Sequence, residues 1–177
     1  MIMNTTKLIA VPALMGALFV ALSGQQAQAA DTGSTLSVQN YTSVTSTPSL
    51  TMTPLLSEIV AGSVETLSGI DLTVVTNNST GCKITVSAGA AGANKIAPGH
   101  ISLRVAAPGN GAAAGDFGNY TALSTGATDL WNTEEAQLNG TGVELDVKFS
   151  NLSSYPAVAG ATKNYTNTIT FTAVANS

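Results

Sequence analysis

Five segments of the chain alternate apolar and polar residues at period two: IDLTVVT (70–76), KITVS (83–87), HISLRVA (100–106), VELDVKF (143–149) and TITFTAV (168–174). Successive side chains of a β-strand point to opposite faces of its sheet, so this period predicts strands with one buried and one wetted face. VELDVKF is the plainest case, with Val143, Leu145, Val147 and Phe149 on one side and Glu144, Asp146 and Lys148 on the other. That pattern belongs to an antiparallel sheet packed on a core through one face. In TITFTAV the outer positions are Thr168, Thr170 and Thr172, whose branched Cβ favours strand geometry and whose hydroxyls tolerate water.

Weaker segments extend the series. DTGSTLSVQNYTSVTST (31–47) carries Leu36, Val38 and Val44 among polar residues and reads as an edge strand, and SLTMT (49–53) reads as another, ended by Pro54. NNSTG (77–81) is short enough to close a hairpin, with Asn and Gly able to take positive φ. Residues 108–128 are rich in Gly and Ala without a sustained apolar period and read as an extended loop, while TEEAQL (133–138) fits one short helical turn capped by Thr133. The expected fold is all-β, an Ig-like antiparallel β-sandwich of about seven or eight strands.

The first residues carry an address. Lys7 precedes an apolar run, LIAVPALMGALFVAL (8–22), and Ala27-Gln28-Ala29 fits the small-residue cleavage rule, so residues 1–29 read as a secretory signal. The apolar run is shorter than the ~20 residues that span a bilayer, and the expected mature chain has no membrane span. The domain layout expected from sequence is then a signal peptide over 1–29, an N-terminal extension or edge strand over 30–48, and a sandwich over 49–177. The mature chain is expected to be secreted, at the cell surface, in the extracellular space or in the periplasm.

Charged residues make up only 9% of the chain and its net charge is −4, one unit more negative once Lys7 leaves. The remaining bases, Lys83, Lys95, Arg104, Lys148 and Lys163, are scattered, which argues against nucleic-acid binding, where clustered cations displace counterions from phosphate. Cys82 is the single cysteine and reads as a small buried thiol beside a strand.

Chemistry-bearing residues are sparse. His100 is the single histidine, so any Ser-His-Asp arrangement must use it, and its place after Pro98-Gly99 suggests a solvent-facing turn. One His and one Cys do not supply a zinc set. Asp129, Glu134, Glu135, Glu144 and Asp146 are the clustered carboxylates; adjacent glutamates diverge, and Glu144 with Asp146 reads as an outward face that keeps a sheet soluble and discourages edge pairing. No catalytic, cofactor-binding or metal-ligating residue is expected. The candidate ligand or assembly surface consists of Trp131, Tyr120, Thr168, Thr170 and Thr172.

Two segments taken together, DLTVVTNNSTGCKITVSA (71–88) and the closing NYTNTITFTAVA (164–175), resemble exported bacterial surface proteins in which a TNN-TG-aromatic hairpin and a final GTYTNTITFT-like strand bracket a β-sandwich. That group is similar to the WxL-domain and spore-coat-U or fimbrial-subunit proteins. The resemblance implies an address and an architecture, not a reaction. The expected function is a non-enzymatic structural protein of the cell surface or extracellular matrix, a fibre or coat subunit; its partners are further copies or other surface proteins. TLSVQNYTSV (35–44) is the candidate donor strand, and the alternative is a module binding a glycan or another surface ligand.

Overall fold

The alternating segments pair as antiparallel strands, because each has one apolar face to bury and main-chain groups to satisfy. A computed structural model describes residues 38–47, 49–156 and 163–177; the leader-like segment and nearly all of residues 30–38 lie outside the described residues. The chain divides into Met1–Gln39 and Asn40–Ser177. Only Val38 and Gln39 of the first unit are described, and the fold is that of the second.

Nine strands occur among the described residues: β1 (Thr42–Ser46), β2 (Ser63–Thr76), β3 (Cys82–Ala88), β4 (Ile101–Ala107), β5 (Ala112–Ala113), β6 (Thr121–Ala122), β7 (Thr128–Thr133), β8 (Gln137–Ser150) and β9 (Ile169–Ala175). One sheet has the order β1-β2-β8-β4-β6 and the other β5-β7-β3-β9. The expected all-β sandwich is the observed fold. Its core lies between the sheets, where Leu72, Val74, Leu103, Leu145 and Val147 of the first meet Ile84, Val86, Leu130 and Trp131 of the second.

Several local expectations are corrected. NNSTG does not close a hairpin: β2 pairs with β1 and β8, whereas β3 pairs with β7 and β9 in the other sheet. The turn crosses between sheets, with Gly81 at φ 76° and its carbonyl accepting from the Asn78 side chain across 2.9 Å. TEEAQL is not helical; it links the end of β7 to the start of β8. The α-helix of the described chain is α1 (Leu56–Ala61), whose entry is closed by the Leu55 N–H donating to Glu58 Oε2 at 2.6 Å and whose exit is Gly62 in the left-handed region. The loop 108–128 carries the two-residue edge strands β5 and β6.

β8 lies in the middle of the five-stranded sheet, so Glu144 and Asp146 guard no edge. Asp146 is only 2% exposed. Its carboxylate accepts from Arg104 Nε at 3.0 Å and from the main-chain N–H of Ser68 at 2.8 Å. Ser68 has φ 47° and lies in the bulge between Thr66 and Ile70 of β2, so a buried charge is spent on holding an irregular strand.

Candidate functional site

The residues singled out from sequence occupy three separate places. Thr170 and Thr172 stand on the outer face of β9, opposite Ser87 and Thr85 of β3, with Thr168 exposed just before the strand. The Trp131 ring is completely enclosed; its Nε1–H donates to the Pro108 carbonyl at 2.7 Å. A Cβ added at Gly111 would stand 2.3 Å from that ring, so the loop needs glycine to pass over it. Trp131 therefore offers no surface to a sugar.

Tyr120 packs on the outer face of the five-stranded sheet, with the Arg104 guanidinium 4.9 Å and the Lys148 ammonium 5.6 Å from its ring centroid. Burial, followed by the neighbouring Glu65 and Asp146 carboxylates, pushes its phenol up from the ordinary value. Hydrogen bonding to Asp146 likewise raises Arg104. Lys148 pairs with Glu65 at 2.9 Å, which leaves this cluster internally compensated.

The other candidate groups are also partnered. Lys83 meets Asp129 at 3.0 Å on exposed surface. His100 is half-buried, not solvent-facing: its Nδ1 is 2.6 Å from the Tyr155 hydroxyl, and Asn151 faces its Nε2 at 3.0 Å. That same hydroxyl accepts the Ala97 N–H at 2.9 Å. Glu134 and Glu135 rim a shallow cleft beside Asn110 and Asn132. Among the described residues, no three His, Cys, Asp or Glu side chains gather as a metal set, and no helix is long and apolar enough to cross a membrane.

The Asn residues of the two motif segments act as clamps. Asn78 Nδ2 donates to the carbonyls of Gly81 and Asn176, at 2.9 and 2.7 Å. Asn167 Nδ2 donates to Gly89 and Ile96, at 2.9 and 2.6 Å, while its Oδ1 accepts the Gly89 N–H at 2.8 Å. They fix both ends of β9 against β3.

Sequence reasoning missed a groove of about 970 Å³, lined by apolar and polar residues together, on the side of the sandwich edged by β1 and β9. Its origin is a length mismatch: β1 pairs with β2 only over Leu72–Thr76, and among the described residues the first half of β2 has no strand paired to it on that side. Val64, Ile70, Ile101 and Phe149 line the groove from the five-stranded sheet, and Ile169 and Phe171 from β9. Tyr155 and Tyr165, whose ring centroids are 5.0 Å apart, stand at its border.

β9 is the edge of its sheet, and the direction of its unpaired groups follows from its register. The Gly89 N–H donates to the Thr168 carbonyl and the Asn176 N–H to the Gly81 carbonyl, at 2.8 and 3.1 Å. Since bonded residues alternate in an antiparallel pair, Thr170, Thr172 and Val174 turn their main-chain groups toward β3. Those of Ile169, Phe171 and Ala173 point away from β3, toward the side on which β1 packs near β9, and the side chains of Ile169 and Phe171 face the groove. Among the described residues, an edge without a hydrogen-bonded neighbour and the groove thus coincide. No protein-family profile matches the chain, and no functionally characterised protein matches its sequence.

Proposed function

We propose that the mature chain is a non-enzymatic structural subunit, exported to the cell surface or extracellular matrix, that assembles by accepting a strand from another copy. The observation that carries this reading is the edge of β9, which no strand of the described residues pairs with, along the groove. An added strand binds through main-chain hydrogen bonds to Ile169, Phe171 and Ala173 and places every second side chain in the groove. Burying apolar surface supplies the drive, at roughly 25 cal/mol per Å².

The donor is the extension before Asn40. The wider candidate TLSVQNYTSV is narrowed, because Thr42–Ser46 is already β1 in the sheet. Leu36 and Val38 remain, two residues apart, with the alternation that the groove accepts. β1 begins opposite Thr76, and the groove runs along β2 from Ile70 to Val64, so its near end lies about six residues, roughly 20 Å, from the start of β1. In the proposed assembly the extension of one copy enters the groove of another, a heterologous contact that builds open chains.

Light scattering and electron microscopy of the mature protein test the reading. Particles that grow with concentration, and that vanish when residues 30–39 are deleted, support it; the same particles after the deletion would overturn it.

A further inference from the structure

Residues 49–54 cross the groove without joining either sheet. Their exposure alternates, with Ser49, Thr51 and Thr53 exposed and Leu50, Met52 and Pro54 half-buried, and all but Thr53 line the groove. Leu50 packs on the core, its Cδ2 lying 3.4 Å from where a Cβ on Gly69 would stand. Yet among the described residues this segment makes no main-chain hydrogen bond: the pairing of β1 ends where the Thr47 N–H donates to the Asp71 carbonyl, and bonding resumes at Leu55. SLTMT therefore has the side-chain period expected of a strand but none of the ladder.

We infer that residues 49–54 are a built-in plug of the assembly groove, held by side chains alone and displaced when the strand of a second copy enters. This rests on the reading of the groove as an acceptor site. The plug and the donor share a pattern: Leu50-Thr51-Met52 repeats the apolar, hydroxyl, apolar order of Leu36-Ser37-Val38. Both offer the groove similar apolar groups. The difference lies in the main chain, since an incoming strand gains the open N–H and C=O groups of Ile169, Phe171 and Ala173, which the plug leaves unused. A segment with few buried contacts and no main-chain bonds opens at low cost, so it can shield the groove in the monomer and still yield.

The structure supplies a reason for such a plug. An open apolar cleft beside an unpaired edge invites indiscriminate aggregation. A weakly held segment in that cleft raises the threshold for a poor donor more than for one that completes the ladder, so it works as a filter on partners.

The test compares the mature protein with its Leu50→Ser and Met52→Ser variants, following assembly by light scattering, with the Trp131 emission reporting that the sandwich is intact. The expected result is assembly several-fold faster in the variants than in the wild type. A second readout needs no variant: a protease should cut residues 49–54 several-fold faster in assembled wild type than in free protein, because displacement exposes them. Wild type that assembles while neither the variant rate nor the cleavage changes would overturn the plug and leave the assembly reading standing. Failure of every form to assemble would overturn both.

Discussion

The Asn78 side chain donates to the Asn176 carbonyl across 2.7 Å, joining the turn after β2 to the residue after β9 although 98 positions separate them in the chain. Asn176 in turn donates to the carbonyls of Thr80 and Thr133, at 2.8 and 2.9 Å. One end of the edge strand is therefore pinned by side chains, as Asn167 pins the other.

Replacing Asn78 by Ala removes one donor from each of two carbonyls at a site only 7% exposed, while the Asn176 N–H stays on Gly81 and the Thr80 hydroxyl on Asn176. The expected loss is about 1–2 kcal/mol, measured by urea denaturation. Asn78→Asp should cost at least as much, because the carboxylate faces acceptors.

Arg104→Ala removes the cation from a buried carboxylate and is expected to destabilise more than the loss of the carboxylate charge itself. Asp146→Asn should cost less, about 1–2 kcal/mol, since the amide still accepts the Ser68 N–H and Arg104 can reach water. Equal losses in the two unfolding curves would show that Asp146 does not depend on Arg104.

Gly111→Ala drives a methyl group into the Trp131 ring. Its expected cost is about 1–3 kcal/mol with a red-shifted tryptophan emission as the ring is displaced. Glycans added to the wild-type protein should leave that emission unchanged, since Trp131 is enclosed.

Burial pushes the Cys82 thiol up from its ordinary 9.0, and Tyr120 is raised in the same direction from 10.0. A group whose folded value lies above its unfolded value adds stability below the unfolded value and loses it as pH rises through the folded one. Unfolding free energy should therefore fall above about pH 9, with the lower part of the decline flattened by Cys82→Ala and the upper part by Tyr120→Phe. In native protein at neutral pH, iodoacetamide should leave Cys82 unmodified.

The sheet layers were legible wherever one residue in two is buried, as in β3, β4 and much of β8, or half-buried, as in β9. They were hidden where the ladder is irregular. The first half of β2 escapes notice because Leu67, Ser68 and Gly69 form its bulge and break the alternation. β7 escapes because Leu130 and Trp131 are consecutive and both enclosed, at a register shift opposite Ile84 and Thr85. The groove was illegible for a different reason: it comes from the unequal lengths of β1 and β2 and from a segment, 49–54, whose alternation is real while its hydrogen bonds are missing. Period two reports which way side chains point; it does not report pairing. That period does put the threonines on the exposed face, but the edge proposed to accept a strand runs through Ile169, Phe171 and Ala173 between them.

Amide hydrogen exchange at Ile169, Phe171 and Ala173, compared between free and assembled mature protein, tests strand addition most directly. The account predicts rapid exchange at these three positions in free protein and strong protection in the assembly, while Thr170 and Thr172, already bonded to β3, change little. Assemblies in which the three amides exchange as fast as in the free protein would contradict it.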